Sequence, residues 1–136
     1  MRATVRNLIL ATPALTAVIP SERWYAPGAV VDTPQRPFAV LRWLAPVASG
    51  ARGRSLHQLR VDVHDDRGSY RRIRQVLGSP DKYDGVYGVF AQVFDHVGVD
   101  GRITEMDYVG SSGDQEDDTY QTNYMFSSWQ VIGVDL

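Results

Sequence analysis

Leu56-His57-Gln58-Leu59-Arg60-Val61-Asp62-Val63-His64 alternates polar and apolar residues strictly from Gln58 onward, and that alternation decides the fold. A period of two places His57, Leu59, Val61 and Val63 on one face of a β-strand and Gln58, Arg60, Asp62 and His64 on the other. Upstream, Phe38-Ala39-Val40-Leu41-Arg42-Trp43-Leu44 is apolar on both faces, as a strand covered on both sides would be. Pro46 to Arg54 reads as the loop between them. Downstream, Asp65-Asp66-Arg67-Gly68 turns the chain. Ser69 then caps a helix that buries Tyr70, Ile73 and Val76/Leu77, turns Arg71, Arg72 and Arg74 outward, and stops at Gly78-Ser79-Pro80.

Farther out, Val5, Leu8, Ile9 and Thr12 mark one face of an N-terminal helix, and Thr12-Pro13 starts a short second helix over 14–18. Four prolines between 20 and 37 indicate an extended, ordered loop. Tyr83, Val86/Tyr87, Phe90, Val93/Phe94 and Val97 fit a helical stripe over 83–97, although Gly85 and Gly88 weaken it. Arg102 to Val109 and Thr122 to Val134 read as strands joined by an acidic segment. In the last strand Tyr124 and Phe126 occupy even positions but Trp129 and Val131 odd ones, which predicts a β-bulge near Ser127-Ser128. The expected architecture is one α+β domain over 1–136, a four-stranded, mostly antiparallel sheet with helices packed on one face.

The 136 residues are 22% charged and 43% hydrophobic, with no cysteine. No apolar run approaches the roughly 20 residues a membrane helix needs. Met1-Arg2-Ala3-Thr4-Val5-Arg6 does not resemble a secretory signal. Disulfides and thiolate metal sites are excluded, so a cytosolic, self-folding domain is expected. The net charge of −2 conceals a division. Residues 1–75 carry twelve arginines against five acids, whereas 76–136 carry Lys82 and Arg102 against eleven acids.

Few residues suggest chemistry. Asp62, His64 and Asp66, at i, i+2 and i+4, could converge on Mn, Fe or Zn. The same spacing also describes the solvated face of a strand entering a turn, and that reading is favoured. Asp114-Gln115-Glu116-Asp117-Asp118 lacks the spacing of a calcium loop and reads as a solvated loop or protein-contact surface. His57 belongs with the core or an interface, and His96 can complement a helix terminus. No G-x-S-x-G elbow, P-loop or dinucleotide fingerprint is present, so neither an enzyme nor a cofactor is expected. Arg2, Arg6, Arg52, Arg54, Arg71, Arg72 and Arg74 could form a nucleic-acid surface, but no recognition motif accompanies them. The abundance of Arg, Trp and Tyr fits an assembly interface as well as a core.

Four stretches together resemble the tail terminator (tail completion, head–tail joining) family of long-tailed, siphovirus-type bacteriophages. They are the helix at Leu8-Ile9-Leu10 followed by Pro13–Val18 and Arg23–Gly28; Arg36–Trp43; Val61–Asp65 with Gly68–Ile73; and Gly110–Asp118 with Tyr120, Thr122, Phe126 and Trp129–Gly133. The Gly78-Ser79-Pro80 break departs from the longer helix usual in such proteins. The resemblance implies a non-enzymatic virion protein made in the host cytoplasm. It would form a homo-hexameric ring at the head-proximal end of the tail, end polymerisation of the tube protein, and join the head-closure or neck protein. Genomic DNA would pass through its lumen without specific binding. A head-closure, neck or tail-tube role is the neighbouring alternative, and a metal-dependent enzyme using Asp62/His64/Asp66 a more distant one.

In such a ring the charge division acquires a use, because a cyclic assembly joins two different surfaces of one subunit. The expected contact sets Arg52 and Arg54, or the Arg71/Arg72/Arg74 face, against Asp114, Glu116, Asp117 and Asp118 of a neighbour.

Overall fold

A computed structural model describes residues 1–44, the backbone of 47–48, and 55–136. In chain order it contains α1 (Arg2–Leu10), α2 (Pro13–Thr16), β1 (Trp24–Tyr25), β2 (Phe38–Trp43), β3 (Val47–Ala48), β4 (Ser55–Asp66), α3 (Arg71–Leu77), α4 (Gly85–Ala91), β5 (Phe94–Val97), β6 (Gly101–Ser111), β7 (Gln115–Asp117) and β8 (Thr122–Asp135). The described strands form one eight-stranded mixed sheet in the order β1-β2-β4-β8-β6-β5, with β3 beside β4 and β7 beside β8. Among the described strands only β1 and β2 run parallel.

The alternation in β4 places Leu59, Val61 and Val63 under the helices, all at most 1% exposed. They meet Trp129 and Val131 of β8, Ala39 and Leu41 of β2, and Val5, Ile73 and Phe90 from the helical layer. The N-terminus of α1 is held from across the fold. Asp100, in the turn between β5 and β6, accepts bonds from the Ala3 and Thr4 backbone N–H groups and the Thr4 hydroxyl. Burial alone would raise the Asp100 carboxyl, but these donors and the Met1 ammonium outweigh it and hold the group well below the ordinary carboxylate range.

The four expected strands are β2, β4, β6 and β8. The expected sheet was too small, because β1, β3, β5 and β7 are two to four residues long and carry no alternation to read. The expected helix over 83–97 is also corrected, since α4 ends at Ala91 and Phe94–Val97 is an edge strand. Gly78 (φ 70°) and Gly85 (φ 58°) account for its late start. A Cβ on Gly78 would lie 1.8 Å from the Asp84 carbonyl oxygen, and one on Gly85 would lie 2.5 Å from that of Val76. The α3–α4 junction therefore closes only on glycine.

The bulge expected at Ser127-Ser128 is not there: β8 keeps unbroken register with β4 from Thr122 to Gly133. The irregularities lie in β6 instead, between Ile103 and Glu105 and between Tyr108 and Gly110. Tyr124 and Phe126 need no change of face, because the far side of the sheet has an aromatic cluster of its own.

Candidate functional site

That far face was expected to be solvated, yet Asp62 and His64 are each 1% exposed. Two arginines, one from each strand, close over Asp62. The Arg42 Nε donates to its Oδ2 at 2.7 Å, and the Arg60 Nε and Nη2 donate to Oδ1 and Oδ2 at 2.7 and 2.8 Å. Arg42 and Arg60 face each other directly in the β2–β4 register, so a carboxylate two pairs farther along, on the same face, can bridge them. The Arg60 guanidinium also lies 4.3 Å above the Phe126 ring.

His64 is enclosed by rings. Phe38 stacks on it with centroids 4.6 Å apart, Tyr124 stacks on the other side at 5.0 Å, and Tyr120 stands edge-on at 5.9 Å. Its Nδ1 is 2.8 Å from the Thr122 hydroxyl, and its Nε2 has no hydrogen-bond partner. Burial pushes the imidazole down to about 4, with Asp117 and Asp62 pulling it up and Arg42 and Arg60 adding to the depression.

The side chains considered for a metal are therefore committed elsewhere. Asp62 is saturated by guanidinium donors, His64 is sealed among rings, and Asp66, 67% exposed, pairs with Arg36 at 3.3 Å. Among the described residues no group of three His, Asp or Glu is placed to hold an ion. Arg42, Asp62 and Arg60 form a structural bridge. Asp62→Ala should cost about 2 kcal/mol rather than the larger penalty of a sealed pair, because both arginines are partly exposed and can swing into water. Urea denaturation of the variant against wild type checks this.

The basic face of α3 and the acidic segment meet within one subunit. Arg74 donates to both Asp114 oxygens at 2.9 and 3.2 Å, and Arg67 donates to the Asp118 carboxylate at 3.1 Å. Arg72 forks onto the buried Asp65 at 2.7 and 2.8 Å. The Asp117 carboxylate accepts from the Tyr120 backbone N–H, and the Tyr70 hydroxyl donates to the Gln115 carbonyl. Arg71 and Glu116 are exposed and make no ion pair among the described residues. Arg52 and Arg54 lie outside the described residues. Sequence reading missed Arg67 and Asp65 as partners, because the contacts depend on the β4–α3 turn folding back against β7.

His57 lies at the rim of the core against Trp43, with Nε2 3.9 Å from Asp135 and an imidazole pushed down chiefly by burial. His96 sits in β5, not at a helix terminus.

No protein-family profile and no curated protein matches the sequence. A solved structure does. The fold is that of a chain in the virion of a native gene transfer agent particle. The superposition has a TM-score of 0.63, covers 100% of this chain and 95% of that one, and carries 13% identity. At that identity the likeness establishes the fold alone.

Proposed function

We propose that the protein is a structural component of a phage-like virion, a tail terminator whose copies form a hexameric ring. The ring would cap the tail tube, end its polymerisation and present the surface that joins the neck, leaving a channel for DNA. The observation that carries this reading is the end-to-end likeness to a virion chain, found for a sequence whose family resemblance points to the same kind of particle. The geometry of Asp62, His64 and Asp66 supports a non-enzymatic role, since their polar atoms serve the fold.

The proposed lateral contact keeps the charge division in use. Arg74, Arg72 and Arg67 neutralise part of the acidic surface within the subunit. Arg71 is left for carboxylates such as Glu116 on a neighbour, and we assign Arg52 and Arg54 to the same contact from their charge alone.

Deleting the gene from a phage that encodes it provides the test. A terminator deletion should yield filled heads and separate tails of uncontrolled length, and added protein should restore joining. Loss of tails altogether would assign the chain to the tube, and leaking heads with normal tails would assign it to head closure. Normal infectious virions would overturn the reading.

A further inference from the structure

The two edges of the sheet differ in chemistry. At one edge, β5 exposes Phe94 (82%) and Val97 (61%), and the turn after it exposes Val99 (75%). The cross-strand neighbour of Phe94 is the exposed Glu105. At the other edge, β2 runs on past the two-residue β1 and leaves an apolar groove of about 140 Å³. Ala26, Pro27, Leu41 and Trp43 line it, and Arg2 and Arg6 of α1 flank it. Arg6 is engaged by the Trp24 and Ser21 carbonyls, whereas Arg2 is exposed and makes no ion pair among the described residues. A cavity of about 150 Å³ accommodates a benzene ring.

We infer that Phe94 on the β5 edge of one copy docks into the Arg2/Trp43 groove on the β2 edge of the next, with Glu105 facing Arg2. This adds an apolar anchor to the charged lateral contact of the ring and rests on that reading. Three features select a second copy as the occupant. A protruding aromatic ring and a groove of matching size occur on the same chain. Their surroundings carry opposite charge, acidic beside the ring and basic beside the groove. They also lie at opposite ends of the β2-β4-β8-β6-β5 order, about 19 Å apart at the usual strand spacing, so the contact is heterologous, the kind of interface from which a closed ring is built. Side chains rather than a shared ladder carry it. Asp95 holds a left-handed φ of 49° and β6 skips Thr104 opposite it, so the edge is kinked against addition of another strand.

The chain has no cysteine, so disulfide trapping reads the contact directly. The double variant Phe94→Cys/Ala26→Cys, oxidised under assembly conditions, should give a ladder of covalent multimers, and each single variant should remain monomeric on a denaturing gel. Phe94→Asp should raise the concentration for half-assembly by about ten- to a hundredfold, the worth of one buried aromatic side chain. Its thermal unfolding should be unchanged, because the ring is exposed in the single chain. A covalent dimer from Phe94→Cys alone would show like edges meeting and overturn the inference. So would a wild type that forms rings while the double variant gives no ladder and Phe94→Asp assembles normally; the ring would then survive with another interface. Wild type that stays monomeric both in solution and on isolated tail tubes would overturn the ring reading itself, and this contact with it.

Discussion

Trp129→Ala should cost about 4 kcal/mol of folding stability, the largest effect expected of any single truncation in this chain. Trp129 is 1% exposed and stands at the centre of the helix-facing side of β8. Phe90 of α4 meets it edge-on at 5.2 Å, and Tyr87 and Tyr108 tilt against it at 5.6 and 5.2 Å. Removing the indole thus leaves a cavity bounded by three rings from two elements. Leu59, its cross-strand neighbour in β4, belongs to a strand pinned by 12 residues of unbroken register and cannot move in to fill it. The indole N–H donates to the Ser127 hydroxyl at 3.1 Å, and Ser127 is itself 3% exposed, so truncation also strips a buried hydroxyl of a partner. Trp129→Phe should recover more than half of the loss by retaining ring contacts. Chemical denaturation of the three proteins decides this. A loss below 2 kcal/mol for the alanine variant would mean that α4 collapses onto the sheet, which its glycine-closed junction with α3 opposes.

What could be read beforehand followed burial that repeats along the chain. β4 was legible because one face lies beneath helices for its whole length, and α3 because Ile73, Val76 and Leu77 have a single place to go. β5 was not, because Phe94 and Val97 are apolar yet exposed; apolar residues that a helix would have buried stand at an edge, where no local pattern marks them. The even-numbered aromatics of β8 misled for a related reason. They looked like a core displaced by one residue, whereas the fold has a second, smaller cluster around His64. Among the surface residues, the excess of arginine in the first half and acid in the second was plain. The partners were not, since Arg74 reaches Asp114 across 40 residues of sequence only after α3 has packed beside β7.

His64 makes stability depend on pH in a window where few other groups act. Its ring is neutral in the folded protein down to about pH 4, against an ordinary value of 6.5, because burial among Phe38, Tyr120 and Tyr124 penalises the cation. The favourable neutral tautomer carries its proton on Nδ1, donates it to Thr122, and leaves at Nε2 a lone pair, which costs less unpaired than an N–H. The unfolded chain, by contrast, takes up a proton as pH falls below 6.5. Stability from this group is therefore complete above pH 6.5, declines as pH falls toward 4, and is flat below, for a total loss of about 3 kcal/mol. Asp100 acts in the same direction but lower down, because a carboxylate held below its ordinary range loses its contribution only once the unfolded carboxylate begins to protonate. The two windows separate in a His64→Phe variant. Phenylalanine keeps both stacking partners and sacrifices the Thr122 bond, a cost of about 1 kcal/mol that does not vary with pH. At pH 7.5 the variant should be the less stable protein, and at pH 4.5, where wild type has lost about 2.5 kcal/mol through this linkage, the more stable one. Urea midpoints at the two pH values test for that crossing. Equal slopes between pH 6.5 and 4.5 in both proteins would mean that the folded protein protonates His64 in place, with Asp62 and Asp117 stabilising the cation that burial disfavours.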